Sequence, residues 1–109
     1  ADQAYADVLT RFPRPKTLDR LLDEWALLNY EAERFDRADE IFRRLVKETP
    51  DSDLADNALL SLAESDLIAN RLEAAQQAFD QLRKSPKSDD LVRERAAYQL
   101  VVLALDARR

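Results

Sequence analysis

The 109-residue chain has no glycine, no cysteine, no histidine and no methionine, and each absence removes a class of chemistry. Without glycine there is no phosphate-cradling loop and no dinucleotide-binding turn, because both need backbone that approaches the ligand without a Cβ in the way. Without cysteine or histidine there is no zinc site of the usual kind and no Cys–His or Ser–His nucleophile pair. No disulfide can form, and the redox compartment is not written in the sequence. No run of about 18 apolar residues exists, so no direct membrane insertion is expected, and no signal peptide is visible. The missing initiator methionine reads as a processed chain or, more simply, as an excised piece of something longer.

What remains suits a soluble helical protein. Hydrophobic residues make up 46% and charged residues 36%, within the range of globular helical chains. The length allows one domain or less. With 17 basic and 22 acidic residues the formal charge is −5. An acidic chain is poorly suited to phosphate backbones, so a nucleic-acid partner is not expected. The local basic run Arg11, Arg14, Lys16 and Arg20 lies in mixed-sign surroundings and reads as a solvated helix end and loop.

The strongest signal is a period of 37 residues. Ala1, Ala38 and Ala75 keep that step, and so do Tyr5, Phe42 and Phe79, and Val8, Leu45 and Leu82. Leu22 pairs with Leu59, Trp25 with Leu62, Ala26 with Ala63 and Phe35 with Leu72. Pro13 and Pro50 hold the same step, and Pro86 arrives one residue early. Self-similarity at such a period marks a stacked repeat, in which one unit cannot bury its apolar face alone.

Apolar spacing predicts six helices. The first covers about 1–11 and stops before Pro13 and Pro15, which cannot both lie in a regular helix. The second covers about 18–33, with Thr17 as its expected N-cap and Asp19 in its first turn. The third, about 36–48, is expected to be capped by Asp36 with Asp39 as a capping-box acid, and it ends at Pro50. The fourth covers about 53–69 and is expected to stop at Asn70, which tolerates a left-handed backbone. The fifth covers about 72–84 and ends before Pro86. The sixth covers about 90–106, with Ser88-Asp89-Asp90 as its cap. Short connections make successive helices antiparallel neighbours. Ala38 and Ala75 fall where a larger side chain would force paired helices apart.

These residues resemble the tetratricopeptide repeat. Leu22, Trp25, Ala26, Tyr30, Phe35, Ala38, Phe42, Leu45 and Pro50 fit its pattern once. Leu59, Leu62, Ala63, Leu67, Leu72, Ala75, Phe79, Leu82 and Pro86 fit it again. Residues 1–13 resemble the second helix of a preceding repeat, and residues 90–106 the first helix of a following one, with Tyr98 in the place of Trp25 and Leu62. The resemblance implies an all-α fold in one repeat domain over 1–109. Its antiparallel helix hairpins, at 18–50 and 53–86 with half-repeats at each end, would stack as a right-handed solenoid. The chain departs from the family at the glycine before the second helix, which is Glu33 in one repeat and Asn70 in the other, and in its long period. Pro50-Asp51-Ser52 before an Ala/Leu-rich helix is similar to bacterial envelope members such as the outer-membrane assembly lipoproteins, which implies a periplasmic or envelope location.

Members of the family bind a peptide or partner helix in a concave groove lined mainly by first helices. Carried over, the lining is Arg20, Asp23, Leu27, Tyr30 and Glu31 from one helix, Asn57, Leu60, Glu64, Leu67 and Ile68 from the next, and Arg93, Leu100 and Leu103 from the last. Such an apolar floor with charged margins suits an amphipathic helix or an extended apolar peptide, although the leucines are also explained by packing between repeats. The places where carboxylate-clamp members carry Lys, Asn and Arg hold Asp23, Leu27 and Leu60, which argues against that clamp. Trp25 is expected in the core.

The adjacent acids Asp23/Glu24 and Asp89/Asp90 point different ways on a helix. No catalytic constellation, cofactor or metal is expected from them. The run Leu100-Val101-Val102-Leu103-Ala104-Leu105 is apolar on all sides and predicts burial on more than one face. Leaving four such large side chains in water forgoes about 6–12 kcal/mol, at roughly 1.5–3 each. A missing repeat helix, a partner, or a second copy in a homodimer through this helix would cover it.

Overall fold

The computed structural model describes residues 2–108. Those residues form six helices and no strand: α1 (Asp2–Arg11), α2 (Leu18–Glu31), α3 (Phe35–Glu48), α4 (Asp53–Ile68), α5 (Leu72–Lys84) and α6 (Asp90–Ala107). The chain is an all-α protein whose adjacent helices pack against each other. It divides into two compact units, Ala1–Ala55 and Asp56–Arg109. Ala1, the first of the periodic alanines, lies outside the described residues. None of the described helices is long and apolar enough to cross a membrane.

In the first unit α2 packs against both α1 and α3. Leu22, Ala26, Ala38, Ile41, Phe42 and Leu45 are buried, and the two alanines have no exposed surface. A methyl at each of those positions is what lets helix axes approach to about 8–10 Å. Trp25 is a core residue, as expected. Its ring stacks on Tyr5 at 5.8 Å between centroids, and the Arg37 guanidinium lies 4.9 Å over its face. Its indole N–H donates to Asp2 Oδ1, which also accepts from Asn29 Nδ2 at 2.9 Å. This polar fastener ties the start of α1 to α2. It holds the Asp2 carboxyl below its ordinary pKa, chiefly through the Asn29 hydrogen bond, then Trp25, with the Arg37 and Arg34 charges adding to it.

In the second unit Ala63 of α4, Ala75, Phe79 and Leu82 of α5, and Val92 and Ala96 of α6 form one buried cluster. Ala63 and Ala75 repeat the Ala26 and Ala38 positions and are equally sealed. Only one face of α6 takes part. Leu100 and Leu103 pack on the cluster from its edge, while Val101 and Leu105 are exposed. The expected burial of this helix on more than one face is therefore not met within the unit. Tyr98 is also a correction: it is 65% exposed rather than a core match of Trp25 and Leu62. The period explains this. A full step from Leu62 reaches Gln99, which is half-buried, and Tyr98 falls one residue, or about 100° of helix, away.

The helix ends follow one plan twice. Glu33 and Asn70, 37 residues apart, both have φ of 63°. Each closes its helix with paired bonds. Glu33 N–H donates to Tyr30 C=O and Arg34 N–H to Asn29 C=O; Asn70 N–H donates to Leu67 C=O and Arg71 N–H to Asp66 C=O. This is the left-handed stop that glycine normally supplies. The arginines add a side-chain staple. Arg34 Nε donates to Asn29 Oδ1 at 2.9 Å, and Arg71 Nε to Asp66 Oδ1 at 2.8 Å. The glycine that the repeat pattern lacks is thus replaced by a backbone held in place from two sides.

Capping agrees at one end and not at two others. Asp89 caps α6 through Val92 N–H, as expected. Thr17 makes no side-chain cap bond, and α3 starts at Phe35 with Arg34 at the N-cap position, which leaves Asp36 inside the first turn. The preceding left-handed stop fixes where α3 can begin, and that precludes Asp36 as a cap. Left-handed φ costs a residue with a Cβ about 1–2 kcal/mol, and Asn tolerates it better. Glu33→Gly is accordingly expected to stabilise the chain by about 1 kcal/mol in urea denaturation, with a smaller gain for Asn70→Gly.

Candidate protein-interaction surface

Arg20, Asp23, Leu27 and Tyr30 all lie on α2. Their spacing of three, four and three residues sets them on one helix face, beside the buried face that carries Leu22, Trp25 and Ala26. Leu27 is 45% exposed and Tyr30 50% exposed, so neither is consumed by the core. The Tyr30 ring meets Phe35 edge-on at 4.9 Å between centroids, at 75°. That contact fixes an aromatic step where α2 turns into α3. Arg20 and Glu31 are exposed at the two ends of this face.

Asp23 is half-buried on the same face. Its carboxyl is pushed above the ordinary value, first by burial and then by the Glu24 and Asp19 charges. Asp19 goes the other way. It accepts from Ser52 Oγ at 2.6 Å and from Arg20 N–H at 2.8 Å, and the serine bond holds its pKa down. The second unit repeats this bond. Asp56, 37 residues on, is buried and accepts from Ser85 Oγ at 2.8 Å and from Ser88 Oγ. Each first-helix carboxylate thereby pins the loop that leads to the next first helix.

In the second unit Leu60, Glu64 and Leu67 share one face of α4, but they are more committed. Leu60 and Leu67 pack on the buried cluster, as Leu103 does from α6. Glu64 is ion-paired to Arg95 at 2.8 Å. Arg93 is engaged with the loop: its guanidinium donates to the carbonyls of Ser85 and Ser88 and pairs with Asp90. Asn57 and Ile68 are exposed. In the expected lining the exposed apolar side chains are therefore Ile68 at the end of α4 and Leu27 and Tyr30 of α2.

Sequence reasoning passed over the polar fasteners, although the period carried most of them. Asn29/Asp66, Arg34/Arg71 and Asp19/Asp56 are all 37 residues apart. The Asp2 contact with Trp25 and Asn29 spans more than 20 residues of sequence and has no local signature.

No family model matches the chain, and no curated protein matches it. The reading of the surface therefore rests on its residues and geometry.

Because the folded-state pKa of Asp23 is raised, its charged form opposes folding at neutral pH. Stability from this group grows as pH falls through that raised value, opposite in sign to Asp2 and Asp19, whose contributions are lost as pH falls through their lowered values. Asp23→Asn is expected to raise the thermal midpoint at pH 7. The difference from the parent is expected to vanish below the ordinary carboxylate range of about pH 4, which calorimetry across pH 3–7 measures.

Proposed function

We propose that the chain is a protein-interaction module of tetratricopeptide type, without catalysis of its own, that docks an amphipathic helix or extended apolar peptide on the open face of α2. The observation that supports this most is the availability of Leu27 and Tyr30, flanked by Arg20 and Asp23, on a helix whose adjoining face is buried in the core. Burying an apolar ligand stripe on Leu27 and Tyr30 supplies affinity, since apolar contact area is what association gains from. The charged margins set orientation and register. Asp23 and Glu24 make a terminal carboxylate an unfavourable ligand, whereas apolar peptides with basic flanks are favoured. By resemblance alone, Pro50-Asp51-Ser52 supports a bacterial envelope setting.

Peptides selected from a random display library against the whole chain test this. They are expected to carry an apolar stripe and to bind Leu27→Glu at least about tenfold more weakly, with helicity by circular dichroism unchanged. Peptides that bind Leu27→Glu and Tyr30→Ala as tightly as the parent would place the site elsewhere.

A second reading is favoured by α6. Tyr98, Val101 and Leu105 are exposed on a helix with a single buried face, an arrangement suited to an assembly element that self-associates through this end. Light scattering over a range of concentrations is expected to show a rising mass. A constant monomer mass would count against it.

A further inference from the structure

We propose that Asp23 selects the ligand of the α2 face by pairing with a lysine or arginine that stands beside the apolar side chain seated on Leu27. The proposal rests on the docking reading above and names the chemistry of its partner: an apolar peptide that carries a cation as the next side chain on the same face.

The repeat does not call for a carboxylate at this position. One and two steps of the 37-residue period from Asp23 fall Leu60 in α4 and Ala97 in α6. Both are apolar, and Leu60 packs on the buried cluster of its unit. Asp19, one turn earlier on α2, behaves differently. It has a repeat mate in Asp56, and both accept serine hydroxyls that hold a loop. Asp23 has neither a mate nor a bond. Among the described residues no hydrogen bond and no ion pair holds its side chain.

Asp23 is nonetheless half-buried. Arg20, three residues before it, lends its charge to Asp19. The charges that act on Asp23 are those of Glu24 and Asp19, both negative, and together with burial they push its carboxyl above the ordinary value. A partly desolvated carboxylate without a counter-charge lowers stability. A side chain held at such a cost and unused by the scaffold is of the kind that recognition retains. A ligand cation would relieve both the desolvation and the like-charge repulsion.

Its place beside Leu27 sets the spacing. The two residues are four apart on α2, so their side chains are neighbours, about 5–6 Å between Cβ atoms. The cation that meets Asp23 is therefore the next side chain along the ligand's own contact face. That is three or four residues from the apolar anchor in a helix and two in an extended peptide. Glu24 and Glu31 also lie one turn from Leu27, but they are exposed. Exposed ion pairs contribute little, whereas a partly buried one is screened less by water and salt. Asp23 is thus the acid that discriminates between ligands.

The test compares peptides selected from a random display library on the whole parent chain, on Asp23→Asn and on Asp23→Lys. Parent-selected peptides that lose binding to Leu27→Glu are expected to be enriched in Lys or Arg at the stated spacing from their apolar residue. On Asp23→Asn that enrichment is expected to disappear, and on Asp23→Lys to give way to Asp or Glu. One parent-selected peptide and its version with that basic residue replaced by glutamine are then titrated by calorimetry. The replacement is expected to weaken binding to the parent by roughly fivefold and to leave binding to Asp23→Asn unchanged. Should Asp23→Lys lose helicity, the titration with the isosteric Asp23→Asn gives the same answer. Leu27-dependent peptides with no basic residue at that spacing, or an equal loss on the parent and on Asp23→Asn, would overturn the proposal and leave docking on Leu27 standing. The absence of any peptide sensitive to Leu27→Glu would overturn both.

Discussion

Everything in this chain depends on how closely paired helices can approach. Ala26 with Ala38 in the first unit, and Ala63 with Ala75 in the second, have no exposed surface. A larger side chain at any of them would widen the hairpin and leave Leu22, Phe42 and Leu45, or Phe79 and Leu82, under-packed, and interiors do not tolerate such gaps without cost. The close approach also decides which face of each helix is left over. With Leu22, Trp25 and Ala26 turned inward, Leu27 and Tyr30 are left partly exposed on the adjoining side of α2.

Polar contacts fix what packing alone leaves loose. Close-packed alanines do not specify register, because one methyl resembles another. The Asp19–Ser52 bond and its repeat at Asp56 set where each loop rejoins the helices. The Arg34–Asn29 and Arg71–Asp66 staples set where α2 and α4 stop. Asp2, with Trp25 and Asn29, sets how α1 lies on α2. Most of these carboxylates are accessible enough for solvent to screen them, so they serve specificity more than net stability. Hydrogen bonds to the charged form are what keep Asp2 and Asp19 ionised as pH falls.

The surfaces left open are of two kinds. On α2 an apolar pair is framed by charge at the edge of a well-filled core, an arrangement that suits transient recognition of a peptide. On α1 the open positions Ala4 and Val8 correspond to the buried Ile41 and Leu45 of α3, whereas the exposed Val101 and Ala104 of α6 correspond to Leu27 and Tyr30 of α2. Both kinds arise from the same 37-residue pattern.

The sequence by itself determined the class of fold, the number of helices and nearly all of their limits. Periodic apolar residues, prolines and short loops act locally, within a few residues of what they specify. It also determined that Trp25, Ala38 and Ala75 are buried, because the repeat gave each position a second witness. Only the tertiary structure decided the rest. The αL stop at Glu33 displaced Asp36 from its expected cap, since the position of a helix start depends on how the preceding helix ends. Tyr98 turned outward because a single residue of phase rotates a side chain by about 100°. The expected groove residues separated into exposed Leu27 and Tyr30 and core-bound Leu60, Leu67 and Leu103 for a similar reason. Exposure depends on which neighbours a side chain finds across the fold, and no period along the chain encodes that.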